Sequence, residues 1–259
     1  MLNRGNIQWG VPMKKLISFC LYGDNPKYIM GFYKNIALKE EFYPDWDIIV
    51  FHDSSVESKH IEEYRKLGVI TRDATGFDIH PTALRFLAFD EDDSCRVVFR
   101  DADSRLSLRE AEAVKEWEDS NKPIHIMRDH PNHGNQNYPI FAGMWGIAGR
   151  MEGSASMLEL IMQYQGGPKD YKNPQTDWGT DQNFLRDCLY SFLGTEQHSM
   201  IHAGQDYMKH ATCCKNESWA KDFPSPRSVD SNFIGEIFNC QWDGSESRED
   251  YYKDIIKCI

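Results

Sequence analysis

Two carboxylates one residue apart follow an apolar run in the first half of the chain. Asp101 and Asp103 come directly after residues 97–100, Val-Val-Phe-Arg, and only Ala102 separates them. Carboxylate oxygens are the ligands that Mg²⁺ and Mn²⁺ prefer, and these ions keep waters and substrate phosphates as their other ligands. The pair therefore predicts a divalent-cation site. The structural alternative is a polar turn after a core strand, since Asp is common in turns.

Strands and helices must position these acids, and their patterns alternate through the chain up to the acid pair. Four apolar segments predict strands, at residues 16–22, 46–51, 69–71 and 95–100. Helical spacing of apolar residues begins at Pro26, Val56 and Pro81. The alternation predicts an α/β fold with a mostly parallel central sheet and helices on both faces. Ligands bind beyond the carboxyl ends of the strands in such sheets. Four residues should therefore share one rim: Tyr22, Asp53, Asp101 and Asp103.

The rest of the chain continues the pattern less regularly. Helices are expected at residues 108–119, at 154–164 and after Thr180, which is the expected N-cap. Strands are expected at residues 123–127, 140–147 and 199–202, with loops at 130–138 and 166–178. The pattern weakens beyond residue 212, up to a last amphipathic stretch at 251–256. No linker or repeat divides the chain, so we expect a single domain at residues 13–259 with a smaller C-terminal elaboration. Residues 1–12 are expected to form a flexible leader.

The composition argues against several classes of partner. Acidic residues outnumber basic ones by 40 to 29 and the formal net charge is −11, so we expect no general attraction to nucleic acid or anionic membrane. No apolar stretch approaches the length of a transmembrane helix. The seven cysteines, including Cys213 and Cys214, form no C-x-x-C repeat, and an odd number favours reduced thiols. We therefore expect a soluble cytoplasmic protein.

Two segments resemble motifs of the GT-A glycosyltransferases, which use nucleotide-sugar donors. Asp101-Ala102-Asp103 resembles the DxD motif that lies at the end of a central strand in that fold. Asp181-Gln182, at the start of a helix, is similar to the DQ motif of the glycogenin-like and bacterial lipopolysaccharide galactosyltransferase group. The resemblance extends over roughly residues 15–210 and implies a GT-A-type, Rossmann-like fold.

A third segment, residues 201–204 together with Lys209, is similar to the C-terminal His-x-x-Gly-x-x-Lys element of that group, with a different spacing. The resemblance implies a Mn²⁺ or Mg²⁺ ion held by Asp101, Asp103 and His202, with Lys209 adding a positive charge. A cation there neutralises the charge that develops on a departing nucleoside diphosphate. The structural alternatives are a hydrogen-bonded histidine near the core and a solvated surface lysine.

Three further residues are candidates for binding the donor. Tyr22 can pack on a uracil base, and Asp53 can accept a hydrogen bond from the base or ribose. Arg85, on the helix before the DxD strand, can reach a phosphate or Asp101, or form an ordinary surface ion pair. With Asp101, which can also contact ribose, these residues complete the expected donor site.

Asp181, Gln182 and Asp129 are the candidates for the reacting centre. Asp181 and Gln182 open a helix just after Trp178 and Gly179, which offer an aromatic face and a flexible approach for a sugar. The alternative is that an acid in a first turn stabilises the helix dipole. Asp129 follows a predicted strand and is the preferred general base if the reaction inverts the anomeric centre; a charged strand end is its alternative.

The sequence thus predicts a metal-dependent glycosyltransferase that moves a sugar from a nucleoside diphosphate to a hydroxyl on a glycan or glycoprotein. The resemblance implies that this donor is a UDP-sugar. Residues 13–107 would form the nucleotide-binding half and residues 108–259 the acceptor-binding half with a C-terminal extension. Catalysis would be mainly electrostatic, and the glycogenin-like resemblance implies that the anomeric configuration is retained.

Two other functions are consistent with parts of the sequence. A phosphatase of the haloacid dehalogenase type would use Asp101 as its nucleophile, although that motif normally follows the first strand of the core domain. A non-catalytic carbohydrate-binding protein would account for the seven tryptophans and twelve tyrosines. Neither alternative accounts for the order of the three motifs.

Overall fold

The structure is a computed structural model that describes residues 14–92, 95–133, 138–149, 155–165, 179–205, 217–227 and 233–238. Within these ranges the chain forms seven strands: β1 (Lys15–Leu21), β2 (Asp47–His52), β3 (Ile70–Asp73), β4 (Arg96–Phe99), β5 (Ile124–Arg128), β6 (Trp145–Ala148) and β7 (Ser199–Ala203). The helices are α1 (Pro26–Phe42), α2 (Ser58–Lys66), a 3₁₀ helix (Pro81–Asp90), α3 (Leu108–Ser120), α4 (Met157–Gln165) and α5 (Thr180–Phe184). Helix α5 continues through a π-helical stretch (Leu185–Tyr190) into α6 (Ser191–Leu193).

The strands form a single sheet in the order β3-β2-β1-β4-β6-β5-β7. Strand β1 pairs in parallel with β2 and β4, and β2–β3 and β5–β7 are also parallel pairs. Strand β6 runs antiparallel to β4 and β5. The mostly parallel α/β sheet predicted from the sequence is therefore confirmed. The predicted strand at residues 140–147 was too long, because residues 140–144 lie in turns before β6 begins.

Helices cover both faces of the sheet. Leu16 packs in a hydrophobic cluster with the 3₁₀ helix, α4 and α5, whereas Ile17 and Phe19 pack in a second cluster with α1, α2 and α3. Successive side chains of a strand point to opposite faces, so alternate residues of β1 belong to different clusters. Because both faces of β2 and β4 are buried, these strands read as continuous apolar runs.

The helix starts follow from local sequence. The side chain of Asn25 accepts a hydrogen bond from the Lys27 N–H at 3.0 Å and caps α1. The predicted cap at Thr180 was wrong by one residue, since Thr180 is already helical and Gly179 is the cap residue, with φ of 85°. Glycine adopts this left-handed conformation without a steric penalty.

The helix predicted from Pro81 is present, and it winds as a 3₁₀ helix. His80 caps it by accepting from the Thr82 N–H, and residues 83–89 are buried. The Ser18 hydroxyl donates to the Arg85 carbonyl at 2.6 Å, which holds this helix against β1. Arg85 therefore lies against β1.

No helix in the described part of the chain is long and apolar enough to cross a membrane. The described cysteines, Cys20, Cys95 and Cys188, carry free thiols. The predicted leader at residues 1–12, the loop at 166–178 and the amphipathic stretch at 251–256 lie outside the described residues.

Candidate active site

The carboxyl ends of β1 and β4 lie side by side. The two strands pair in parallel with Ser18 opposite Phe99, and the Arg100 N–H extends the ladder by donating to the Ser18 carbonyl at 3.0 Å. Tyr22 follows β1, and Asp101 follows Arg100 after β4. The sheet therefore places the two chain segments at a common rim, as the sequence predicted.

Arg85 joins two of the predicted site residues. Its guanidinium donates through Nη2 to Oδ2 of Asp181 at 2.8 Å and through Nη1 to Oδ1 of Asp101. The Arg85 side chain is buried, the Asp181 side chain is 9% exposed, and the Asp101 side chain is 45% exposed. Burial lowers the pKa of Arg85, but the two carboxylates raise it by more, so the guanidinium stays charged. The predicted contact between Arg85 and Asp101 is present, and Asp181 is brought to the same group.

Asp103 is paired with a residue that the sequence analysis did not identify. The Lys27 ammonium lies 2.6 Å from Oδ2 of Asp103, whose side chain is only 8% exposed. Lys27 is in the first turn of α1, and no sequence motif marks it. Each acid of the DxD pair therefore has a basic partner, Arg85 for Asp101 and Lys27 for Asp103.

Helix α1 reaches the acids because it packs closely on their loop. A Cβ at Gly31 would overlap the carbonyl of Ala102. Asn35 Nδ2 donates to the Ser104 carbonyl at 2.9 Å, and Asn35 Oδ1 accepts from the Leu106 N–H at 3.0 Å. Lys27, Gly31 and Asn35 are spaced four apart, which puts them on one face of the helix. The placement of Gly31 and Asn35 among the buried apolar residues of α1 is the signal that could have identified the contact.

Asp101 is also confined on its other side. A Cβ at Gly143 would overlap the Asp101 carboxylate, so the turn before β6 lies directly against it. Glycine permits this close approach because it has no side chain. The Asp101 carboxylate is thus held between Arg85 and the Gly143 backbone, with almost half of the side chain left exposed.

Two aromatic rings are exposed beside this rim. Tyr22 is 40% exposed and Tyr28 is 36% exposed, and the Lys27 ammonium lies 5.1 Å from the centre of the Tyr28 ring. Burial of the hydroxyl end raises the pKa of Tyr22, so the phenol stays protonated. Nearby, burial raises the pKa of the Cys20 thiol to about 11, which leaves it neutral and a poor nucleophile.

Asp53 supports the loop after β1. Its Oδ1 accepts hydrogen bonds from the Ser55 N–H, at 3.0 Å, and from the Ser55 hydroxyl. Ser55 Oγ accepts in turn from the Gly23 N–H at 2.6 Å. Asp53 is therefore linked to the segment next to Tyr22, and its predicted contact with a base or ribose stays a prediction.

The side chains of Asp181 and Gln182 differ in how far they are engaged in contacts within the protein. Oδ1 of Asp181 accepts from the Gln182 N–H at 2.9 Å, while Oδ2 accepts from Arg85. Both oxygens of Asp181 are thus engaged within the protein. The Gln182 side chain is half-buried, which makes it the group of this pair better suited to contact a ligand.

His202 does not join the acids. Its Nδ1 lies 2.8 Å from Nε2 of His125, and its Nε2 lies 2.8 Å from a carboxylate oxygen of Glu116. Two strands, β6 and β5, separate β7 from β4 in the sheet. Among the described residues no three His, Cys, Asp or Glu side chains converge on a metal position. The surroundings of His202 therefore give it a structural role in place of the metal role predicted from the sequence.

The two acids nevertheless suit a hard cation. Asp101 and Asp103 supply carboxylate oxygens only, which are the donors that Mg²⁺ and Mn²⁺ prefer. Mg²⁺ in particular is commonly held by one or two carboxylates, with waters and substrate phosphates as its other ligands. The donor set fits such an ion without His202. Lys209, the other residue of that predicted element, lies outside the described residues.

Asp129 anchors the C-terminal part of the described chain. Its carboxylate accepts two hydrogen bonds from Arg109, at 2.9 and 3.2 Å, and a third from the Ile234 N–H at 3.1 Å. Arg109 also donates to the Ser225 carbonyl. Asp129 is 2% exposed. Because both oxygens are engaged, the structure favours an anchoring role over the general-base role predicted from the sequence.

No protein-family model matches the sequence, and no curated protein matches it. Several solved structures resemble the fold. Residues 1–349 of S. aureus TarS share 14% identity over 74% of this chain and 58% of that chain, with a TM-score of 0.46. The glycosyltransferase GlyE of Streptococcus pneumoniae TIGR4 shares 18% identity over 72% of this chain and 45% of that chain, with a TM-score of 0.48.

A glycosyltransferase involved in glycosylation of the major capsid protein of PBCV-1 shares 11% identity over 95% of this chain and 100% of that chain, with a TM-score of 0.46. The chain thus spans less than two thirds of the TarS fragment and of GlyE. At these identities and scores the likenesses leave the activity of this chain open.

Proposed function

We propose that the chain is a GT-A-type glycosyltransferase that moves a sugar from a UDP-like nucleoside diphosphate donor to a hydroxyl of a glycan or glycoprotein acceptor. The observation that supports this most is the junction made by Arg85, which ties the DxD acid Asp101 to the DQ acid Asp181 at the carboxyl end of the central strands. The two motifs are far apart in the sequence, and the Arg85 guanidinium brings their acids together in the fold.

In this proposal each residue at the rim has a role in binding the donor. Asp101 and Asp103 would hold Mn²⁺ or Mg²⁺, which, when bound, stabilises the charge of the departing diphosphate. The exposed ring of Tyr22 offers a face for the base. Asp53 orders the adjoining loop through Ser55. A rim assembled in this way binds the nucleotide in one orientation and leaves the sugar towards α5.

The sugar side is formed by Gln182, with Asp181 fixed behind it by Arg85. Catalysis in such a site comes from preorganised charges and dipoles that stabilise the transition state more than the bound donor. The Asp129 carboxylate is hydrogen-bonded to Arg109 and to the Ile234 N–H, so the proposal does not use it as a general base. The proposal accordingly includes retention of the anomeric configuration.

Calorimetric titration with UDP in the presence of Mn²⁺ tests the donor site. We expect binding that is lost in Asp103→Ala and preserved in Asp119→Ala, since Asp119 is an exposed acid of α3 that pairs with Lys115. A screen of nucleotide sugars for metal-dependent hydrolysis, followed by NMR of the released sugar, would give the donor and the anomeric outcome. The proposal is wrong if UDP does not bind, or if binding is indifferent to Asp103→Ala.

The same samples separate the two alternatives. Rapid release of phosphate from an aryl phosphate would favour a phosphatase with Asp101 as nucleophile, although Asp101 follows β4 and is paired with Arg85. Glycan binding that persists in EDTA, without turnover of any nucleotide sugar, would favour a carbohydrate-binding protein.

A further inference from the structure

The ammonium of Lys27 lies where a cation bound to Asp103 would be expected. Its Nζ is 2.6 Å from Oδ2 of Asp103, and the two side chains are 22% and 8% exposed. Lys27 is carried to this position by α1, which is fixed on the DxD loop by the close approach at Gly31 and by the hydrogen bonds of Asn35 to residues 102, 104 and 106. The contact therefore follows from the packing of a helix and is more than the chance meeting of two surface side chains.

The two basic partners of the DxD acids differ in how easily they can move. Arg85 is buried, donates to two carboxylates at once, and belongs to a helix whose Arg85 carbonyl is bonded to β1. Lys27 has a single carboxylate partner among its described contacts, a flexible four-carbon side chain and partial access to solvent. Of the two, Lys27 is the group that can leave its acid while its own charge keeps access to solvent.

A divalent cation bound to Asp103 would bring its charge close to the Lys27 ammonium, which contacts the same carboxylate. Two positive charges this close repel each other, and they do so more strongly in a partly buried site than in water. The Lys27 ammonium already lies 5.1 Å from the centre of the Tyr28 ring. A cation over an aromatic face is attracted to it, so this contact would favour the ammonium after it leaves Asp103.

We propose that Lys27 neutralises Asp103 in the metal-free protein and is displaced when a divalent cation binds, so that Lys27 sets the metal affinity of the site. This rests on the metal site of the proposed function and extends it to a residue outside the DxD motif. Lys27 acts through Asp103 and is a positioning residue.

Titration of the full chain with Mn²⁺, without nucleotide, tests the proposal, with free Mn²⁺ measured by its electron paramagnetic resonance signal. Lys27→Met removes the competing charge, and we expect it to bind Mn²⁺ about tenfold more tightly than wild type. Lys27→Arg keeps a positive charge beside Asp103 and should stay close to wild type. Lys66→Met is the matched control, because Lys66 also pairs with a carboxylate, Glu63, on the exposed side of α2.

Each outcome of this titration decides the proposal. Equal or weaker binding of Mn²⁺ by Lys27→Met overturns it, and so does absence of Mn²⁺ binding in every variant. The cap of α1 uses the Lys27 backbone N–H, so the substitution leaves the cap intact, and circular dichroism would verify folding. If Lys27→Met tightens Mn²⁺ binding while no nucleotide sugar is turned over, the proposed function fails and this inference stands. If turnover persists while the affinity is unchanged, only this inference fails.

Discussion

The guanidinium of Arg85 donates to the carboxylate of Asp181 at 2.8 Å, although 96 positions separate the two residues in the sequence. Arg85 comes from the 3₁₀ helix before β4, and Asp181 comes from the first turn of α5. The same guanidinium reaches Asp101. One buried cation therefore holds together the two acidic motifs on which the proposed reaction depends.

Replacing Arg85 by Met should lower the free energy of unfolding by about 3 kcal/mol, because removing one partner of a buried ion pair leaves a buried charge without compensation. Arg72→Met is the matched control, since Arg72 also pairs with a carboxylate, Glu91, but is exposed. We expect a loss of at most about 1 kcal/mol there. Urea denaturation measures the loss of stability in both variants. Similar losses would show that the buried Arg85 ion pairs contribute no more to stability than the exposed pair of Arg72.

Much of the fold follows from local pattern. The strands before Asp101 were predicted to within about two residues at each end. Strands β1, β2 and β4 are recognisable as largely apolar runs because both of their faces are buried, whereas β3 is a partly exposed edge strand. The antiparallel direction of β6 could not be predicted, since residues 140–147 contain no signal for strand direction. The two ion pairs at the site could not be predicted either, because they depend on which helices meet at the rim. These pairs are Arg85 with Asp181 and Lys27 with Asp103.

His202 shows why a short motif can mislead. A histidine two residues before a glycine resembles a metal-binding element, but its role is decided by its neighbours in space. Here His125 and Glu116 occupy its two ring nitrogens, and both lie far from it in the sequence. Nothing in residues 201–204 alone indicates those partners.

Gly31 should not tolerate alanine, although alanine is the better helix former by about 1 kcal/mol. The added Cβ would overlap the Ala102 carbonyl, which is backbone and cannot rotate away. We expect a net loss of about 1 to 3 kcal/mol in stability, the range of overpacked sites, and weaker Mn²⁺ binding as the DxD loop shifts. Glu41→Ala, on the exposed end of α1, serves as the control. Wild-type stability and Mn²⁺ affinity in Gly31→Ala would contradict the close packing.

The protein should lose stability in mild acid because three buried histidines stay neutral in the folded state. Burial lowers the pKa of His125 well below its usual value, lowers that of His202, and lowers that of His133 to about 3. The unfolded chain takes up protons at these sites below about pH 6.5, so the folded state binds fewer protons there. The contribution of these histidines to the free energy of unfolding should be complete above about pH 6.5 and should decrease as the pH falls below that value.

Urea denaturation between pH 7.5 and about pH 5 measures this slope, which is at most about 1.4 kcal/mol per pH unit for each histidine. His125→Asn removes one titrating ring, so we expect a shallower slope whatever its effect on stability at pH 7.5. A slope identical to wild type in His125→Asn would show that His125 does not contribute to the acid sensitivity.

Asp129 offers a test that separates an anchor from a general base. As an anchor it acts only through its pair with Arg109 and through the Ile234 N–H, so Asp129→Asn and Arg109→Met should impair the protein similarly. We expect each to lower the free energy of unfolding by about 2 kcal/mol or more, since each unpairs a largely buried charge, and to change kcat of the transferase by similar factors. Loss of a general base would instead lower kcat by about 10²- to 10⁴-fold in Asp129→Asn alone. Such an asymmetry would indicate that Asp129 acts as the general base and would favour inversion of the anomeric centre. Asp129 could then accept the acceptor proton only after Arg109 had released its carboxylate.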